Sequence, residues 1–207
     1  MRESPSGISF WRRPELLVGS CILLSYLLVW PVGRYAIEDD WAFSLTLRNL
    51  LDTGEIHILH WIPVTLISHL LWGLLFTTVF GFHFTVLKIS TVVLMGGGIW
   101  AMMDLLRRLE VPSGVAAMAG LALLFNPLHF FQGFLYATDV PALAWTGLAL
   151  LFYFRGLMER DSGPVLALCW VGSLFASLAW GVRQSALLVV AAVLLHFLIF
   201  GGRQRRK

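Results

Sequence analysis

The sequence predicts an all-α fold: a polytopic membrane helix bundle of about six transmembrane helices, with interfacial helices in the first external loop. Of the 207 residues, 58% are hydrophobic and only 13% are charged, whereas soluble domains carry about 25% charged residues. The mean hydropathy is +0.78. Apolar runs of nearly spanning length recur along the chain, and short basic clusters separate them, as is typical of membrane topology signals. The composition therefore predicts a single transmembrane domain over residues 1–207.

Seven apolar runs are candidates for spanning helices. They cover residues 15–33, 62–80, 84–103, 114–131, 139–154, 164–181 and 185–200. The first run is longer than a signal-peptide core and has no small-residue cleavage site, so we predict a retained span. The last two runs together would form a helix of about 55 Å at 1.5 Å per residue, against a hydrocarbon core of about 30 Å. We therefore predict a turn at "WGVRQS", residues 180–185.

The basic clusters determine the number of crossings, because basic loops favour the cytoplasm. The clusters are Arg2, Arg12 and Arg13; Arg107 and Arg108; Arg155 and Arg160; and Arg203, Arg205, Arg206 and Lys207. If all seven runs crossed, the second cluster would lie outside while the N-terminus lay inside. Run 62–80 begins with Pro63, contains His69 and follows an amphipathic stretch, so we assign 41–80 to external interfacial helices. The other six runs then span the membrane, and both termini are cytoplasmic.

The stretch "YAIEDDWAFSLTLRNL" places Glu38, Asp39 and Asp40 at the external edge of the first span. One interpretation is a solvated loop in which an Asp caps the helix that starts near Trp41. The other is that a carboxylate acts as a base or metal ligand for a substrate delivered by the lipid. Spacing alone leaves both interpretations open.

A second acidic position occurs in "YATDVPAL". Thr138 or Asp139 is suited to cap a helix that begins at Val140, and Pro141 is tolerated in its first turn. Under the six-crossing topology, Asp139 lies on the same side of the membrane as the acidic triplet. Asp139 could therefore cap the helix, take part in catalysis, or do both.

Two basic residues are candidates for phosphate binding. Arg183, in "GVRQSA", lies in a predicted external turn, where the positive-inside bias does not account for it. It either snorkels and caps a helix end or binds phosphate through its planar guanidinium. Lys88, near the external start of its span, is either a second phosphate contact or another snorkelling side chain.

Metal-binding patterns are absent from the sequence. Cys21 and Cys169 lie inside apolar runs, and the histidines have no ligand spacing. We interpret these residues as packing or interfacial; the histidines considered are His57, His60, His69, His83 and His129.

Four stretches occur in a set order: "EDDWAFSLTLRNLLDTGEI", "LLWGLLFTTVFGFHFTVLKIS", "NPLHFFQGFLYATDVPALA" and "VRQSALL". This ordered set resembles the N-terminal half of bacterial membrane glycosyltransferases of the C-type (GT-C) superfamily, in the group related to protein O-mannosyltransferases and aminoarabinose transferases. The resemblance covers nearly the whole chain. It implies an acidic pair in the first external loop (Asp39 and Asp40), an Asp in the second (Asp139), interfacial helices and a polyprenyl-phosphate sugar donor. Family members continue through further spans into an external domain, so we expect a truncated or partial module.

The chemistry implied by the resemblance suits these residues. Transfer from a lipid-linked sugar phosphate needs a base for the acceptor hydroxyl and positive charge for the leaving phosphate. Asp39 or Asp40 would be the base, and displacement on the opposite face of the sugar would invert its anomeric centre. If a divalent cation (Mg or Mn) takes part, Asp40 and Asp139 would ligate it. The predicted catalytic residues are Asp39, Asp40 and Asp139, and the predicted donor-phosphate-binding residues are Arg183, Gln184 and Lys88.

The expected setting is the plasma (inner) membrane, with the site on the external face and a lipid, glycan or protein as acceptor. The basic residues fall in short clusters rather than a stripe, so no nucleic-acid partner is expected. Two other classes stay open. A non-catalytic scaffold or degenerate paralogue accords with the short length. A transporter is less favoured, because it is expected to hold ionisable groups near the bilayer midplane, whereas the charged residues here gather at the ends of the predicted helices.

Overall fold

The computed structural model describes residues 14–29, 37, 39–58, 62, 64–158 and 162–204. Within these ranges the secondary structure is helical, with no strand, which confirms the all-α part of the predicted fold class. The helices are α1 (Pro14–Val29), α2 (Asp40–Thr53), α3 (Ile67–Phe80), α4 (Phe84–Arg108), α5 (Ser113–Leu124), α6 (Pro127–Gly133), α7 (Asp139–Met158), α8 (Ser162–Trp180) and α9 (Leu187–Gln204). The predicted turn at 180–185 is confirmed, because α8 ends at Trp180 and a short 3-10 helix, Gln184–Ala186, precedes α9.

Helix α7 is central to the bundle and packs against α4 and α8. A Cβ atom at Gly98 would lie 2.9 Å from the Cα of Ala144, so only glycine allows α4 and α7 to approach so closely. On the other side of α7, the hydroxyls of Tyr153 and Ser173 are 3.0 Å apart and join it to α8. Small residues at close helix contacts are typical of helices that pack in a membrane.

Two helices, α4 and α7, are long and apolar enough to cross a membrane. Helices α5 and α6 meet at a 68° bend and would supply a third span if they form one broken helix. Helices α1 and α3 are apolar but shorter. By length and composition, the part of the chain that the structure describes therefore has two to three candidate membrane spans, and the count of six stays a prediction.

One end of the bundle carries a network of ion pairs. Asp104, near the end of α4, accepts hydrogen bonds from Arg108 Nε at 3.0 Å and from Arg155 Nη2 at 2.7 Å. Arg107 pairs with Glu15 in the first turn of α1. These five residues, which we call the basic end, join α1, α4 and α7.

The opposite end of α7 carries a different set of charges. Asp139, the first residue of α7, pairs with Arg183, which follows α8. Asp139 and Arg155 belong to the same helix and are separated by about 24 Å at 1.5 Å per residue. We call the region of Asp39, Asp40, Asp139 and Arg183 the acidic end.

Helices α2 and α3 pack at the acidic end. Leu47 of α2, Leu70 of α3 and Leu87 of α4 share a buried cluster with Tyr136, which lies just before α7. The amphipathic character predicted for α2 is confirmed, since its residues 40, 43, 44 and 47 are buried while 41, 45, 48 and 52 are exposed. This packing fixes the start of α2, and with it the acidic pair, against the segment that leads into α7.

Candidate functional site

A pocket at the acidic end brings together four of the six predicted site residues: Asp39, Asp40, Asp139 and Arg183. The pocket encloses about 50 Å³, which is room for one or two water molecules or a small ionic group, since one water occupies about 30 Å³ in the liquid. The remaining lining residues are Ile37, Phe43, Gln132, Leu135, Ala137 and Thr138. The residues come from α2, α6, the segment before α7 and the turn after α8.

Arg183 is oriented by two neighbours on one segment. Its Nε donates to Thr138 Oγ1 at 3.0 Å, and its Nη2 donates to Asp139 Oδ2 at 2.9 Å. These two bonds use two of the five N–H donors of a guanidinium. The side chains of Arg183 and Asp139 are 36% and 47% exposed, so the pair is held in one orientation yet is accessible to solvent. Thr138, which with Asp139 was one of two predicted helix caps, accepts a hydrogen bond from Arg183 through its hydroxyl.

Asp39 and Asp40 have different environments. Asp40 is only 2% exposed, and its Oδ1 accepts the backbone N–H of Ile37 at 2.5 Å. The solvated-loop interpretation is therefore wrong for Asp40. Asp39 is exposed and precedes α2, but its backbone is helical (φ −73°, ψ −11°) and its side chain makes no capping hydrogen bond. One carboxylate of the pair is thus buried at the pocket wall and the other faces solvent.

The start of α3 supports the turn that carries Arg183. The backbone N–H of Ser68 donates to Gly181 O at 2.9 Å, and Thr65 Oγ1 donates to Trp180 O at 3.0 Å. A Cβ atom at Gly181 would overlap the side chain of Ser68, so the glycine permits this close approach. The turn is consequently tied to α3 as well as to α8.

The first turn of α3 also supports the segment that carries Thr138 and Asp139. The rings of His69 and Tyr136 stack at 4.0 Å between centroids, and Tyr136 Oη donates to His69 O at 2.8 Å. Both side chains are fully buried. Burial lowers the pKa of His69 from 6.5 to about 3, so its imidazole is neutral at physiological pH. His69 is a packing residue, as predicted. Helix α3 thus supports both segments that meet in the Arg183–Asp139 pair.

The other two predicted phosphate ligands do not line the pocket. Lys88 lies in the second turn of α4 and is 4% exposed, so it does not snorkel to the surface. Gln184 is exposed and begins the 3-10 helix after Arg183. Of the predicted phosphate-binding group, the pocket therefore contains Arg183 alone. Glu38 lies outside the described residues.

Metal binding has little support in the donor set. No group of three or more His, Cys, Asp or Glu side chains that could hold a metal ion occurs within the described ranges. Asp40 and Asp139, the predicted ligands, line one pocket, but Asp139 Oδ2 already accepts from Arg183. A cation would therefore have to compete with Arg183 for Asp139.

A larger groove adjoins the pocket and shares Gln132 and Asp139 with it. The groove encloses about 330 Å³. Its other lining residues are Leu123, Asn126, Leu128, His129, Val140 and Leu143. The Asn126 side chain caps α6 by accepting the backbone N–H groups of Leu128 and His129 at 3.1 and 3.2 Å. Gln132 was not among the predicted site residues. It lies three residues after His129, which puts both side chains on one face of α6. This spacing could have identified Gln132 from the sequence.

Comparisons of the chain with profiles of protein families, with curated proteins and with solved structures gave no match. The family resemblance therefore stays a prediction that rests on the sequence motifs.

Proposed function

We propose that this chain is part of a GT-C-like inverting glycosyltransferase, which transfers a sugar from a polyprenyl-phosphate donor to an acceptor at the external membrane face. The observation that carries this proposal is the pocket in which Arg183 lies beside Asp39, Asp40 and Asp139. A cation that is fixed by hydrogen bonds and exposed to solvent is suited to bind a phosphate oxygen. Carboxylates in the same pocket are suited to accept a proton from a hydroxyl.

In the proposed reaction, the acceptor oxygen forms a bond to the anomeric carbon while the bond from that carbon to the phosphate oxygen breaks. Asp40 or Asp39 takes the hydroxyl proton. The leaving group departs as a phosphate anion without needing a proton, and Arg183 stabilises its charge. Asp139 holds the guanidinium, so its main contribution is orientation of Arg183.

The proposal includes six spans, namely α1, α4, the α5–α6 pair, α7, α8 and α9, with α2 and α3 at the external interface. Support comes from the separation of the charged groups to the two ends of α7. Large apolar side chains also face outward, such as Leu28 (75% exposed), Trp170 (69%) and Leu198 (82%). An apolar surface of this kind is unfavourable in water and favourable in lipid.

A non-catalytic scaffold is the second candidate, because the two described bonds of Arg183 link segments that are 44 and 45 positions apart in the chain. In that case the Arg183–Asp139 pair would only join the turn after α8 to the start of α7. A transporter is disfavoured, since the ion pairs described lie at helix ends rather than midway along the helices.

Donor binding by Arg183 variants distinguishes the enzyme from the scaffold. Arg183→Lys keeps the charge but loses the planar fork, and Arg183→Ala loses both. Loss of a charge-assisted hydrogen bond costs about 1.5 to 3 kcal/mol, so we expect Arg183→Ala to bind a polyprenyl-phosphate sugar about 10- to 150-fold more weakly. Arg183→Lys should fall between Arg183→Ala and wild type.

The matched control is Arg48→Ala on α2, because Arg48 is an exposed arginine paired with Asp52 and does not line the pocket. Binding is measured on purified protein in detergent, with thermal melting to verify folding. Equal donor affinity in wild type and both Arg183 variants would favour the scaffold.

A further inference from the structure

The pocket around Arg183 is too small for the whole polar part of a lipid-linked sugar. Its 50 Å³ accommodates a phosphate-sized group, whereas small-molecule sites typically enclose about 300 to 1,000 Å³. The adjoining groove, at about 330 Å³, falls in that range. If the phosphate occupies the smaller pocket, the sugar ring must lie in a connected space.

The groove has the chemical character of a polyol site. His129 and Gln132 line it from one face of α6, and leucines and a valine complete its wall. An amide and a neutral imidazole each offer both a donor and an acceptor, which matches the hydroxyl group. His129 Nε2 is buried and has no hydrogen-bond partner among the described residues. A buried polar atom without a hydrogen bond costs free energy. The amide of Gln132 and the other polar lining residues are suited to meet the demand of a polyol for hydrogen bonds within the groove itself.

We propose that this groove, with His129 and Gln132, binds the sugar ring of the donor while Arg183 holds its phosphate. This inference rests on the proposed function and adds a subsite to it. Gln132 and Asp139 line both spaces, so the anomeric carbon would lie near the junction, next to the carboxylates. A lipid tail is the competing occupant of the groove. A tail would offer no hydrogen-bonding group to Gln132 or His129, which line the groove.

The test compares two ligands that differ only in the sugar: a polyprenyl-phosphate hexose and the same polyprenyl phosphate without a sugar. The variants are Gln132→Met, which keeps the shape of the side chain but removes its hydrogen bonds, and His129→Leu. Each should weaken binding of the sugar-bearing ligand about 3- to 10-fold, the effect of one neutral hydrogen bond. Binding of the sugar-free ligand should stay at the wild-type value in His129→Leu, because His129 lines the groove alone. In Gln132→Met it should fall less than binding of the sugar-bearing ligand, because Gln132 also lines the pocket around Arg183.

The matched control is Phe131→Leu, because Phe131 is exposed on α6 and lines neither space. Thermal melting verifies folding, and His129→Asn replaces His129→Leu if the latter does not fold. If the Gln132 and His129 variants bind both ligands equally more weakly, the groove holds the tail or the phosphate rather than the sugar. If they bind both ligands as tightly as wild type, the sugar subsite is also overturned. Either result leaves the proposed function standing if Arg183→Ala weakens both ligands. Failure of the wild type to bind either ligand would reject both proposals.

Discussion

The two ends of α7 hold their charges in different ways. At the basic end, Asp104 is 18% exposed on its side chain and accepts from two arginines, and the charges neutralise one another across three helices. At the acidic end, Asp139 and Arg183 are each more than one-third exposed and line a cavity. A charge cluster whose members pair with one another across three helices is suited to join those helices, whereas one that borders a cavity is suited to bind a ligand. The comparison therefore separates a structural cluster from a candidate site in one molecule.

The largest expected effect is that the acidic end faces the outside of the cell and the basic end faces the cytoplasm. Labelling of single cysteines at the two ends should be all-or-none. Thr53, at the end of α2, and Ser113, at the start of α5, are both exposed in the structure. In a background with Cys21→Ser and Cys169→Ser, we expect Thr53→Cys to react with an impermeant thiol reagent on intact cells and Ser113→Cys to react only after permeabilisation. Labelling of Ser113→Cys on intact cells would mean that 62–80 crosses the membrane, and the proposed topology would fail.

Loss of the catalytic base is the next largest effect. Asp40→Asn or Asp39→Asn keeps the side-chain shape but removes the proton acceptor, so we expect one of them to lower turnover by about 10²-fold or more. The assay needs the shortest polypeptide that shows transfer, and donor binding should change less than turnover. Asp52→Asn is the matched control, since Asp52 is an exposed acid on the same helix outside the pocket. Normal turnover in both variants would leave the acids without a catalytic role.

Some of this site was accessible from the sequence because local rules determine it. The length of the last two apolar runs required a break before Gln184, and the structure has that break. Basic clusters indicated that the acids and Arg183 share one face, and the pocket contains Asp39, Asp40, Asp139 and Arg183 together. The stretch from residue 41 was predicted to be amphipathic, and α2 has one buried and one exposed face.

The rest depends on contacts between distant segments, which local patterns do not specify. Thr138 and Arg183 are 45 positions apart, and His69 and Tyr136 are 67 apart. Lys88 has a position in its helix that suggests a lipid-edge cation, yet it is only 4% exposed in the fold. Such burial depends on tertiary arrangement, so the sequence alone could not separate Lys88 from Arg183.

Stability measurements sharpen the comparison between the two ends. Asp104→Asn weakens charge-assisted bonds to Arg108 and Arg155, and we expect it to lower the free energy of unfolding by about 1.5 to 3 kcal/mol. Asp139→Asn disrupts a more exposed pair, for which about 0 to 1 kcal/mol is expected. Donor binding should show the reverse order, with loss in Asp139→Asn and none in Asp104→Asn. Thermal melting and donor titration on the same samples check this, and loss of stability from Asp139→Asn alone would reverse the roles assigned to the two ends.

The smallest expected effect concerns Thr138, an uncharged residue whose hydroxyl orients Arg183. Thr138 is 1% exposed, and its hydroxyl accepts from Arg183 Nε. Thr138→Val keeps the side-chain volume but removes the hydroxyl that accepts from Arg183. Of the two described hydrogen bonds of the guanidinium, only the one to Asp139 would then stay. We expect a loss of donor affinity near 10-fold, the lower limit for a hydrogen bond to a charged group. Thr138→Ser keeps the hydroxyl and should bind donor like wild type, which separates orientation of Arg183 from packing of the methyl group. Equal weakening in both variants would assign the effect to packing, and no weakening in either would leave orientation of Arg183 to Asp139.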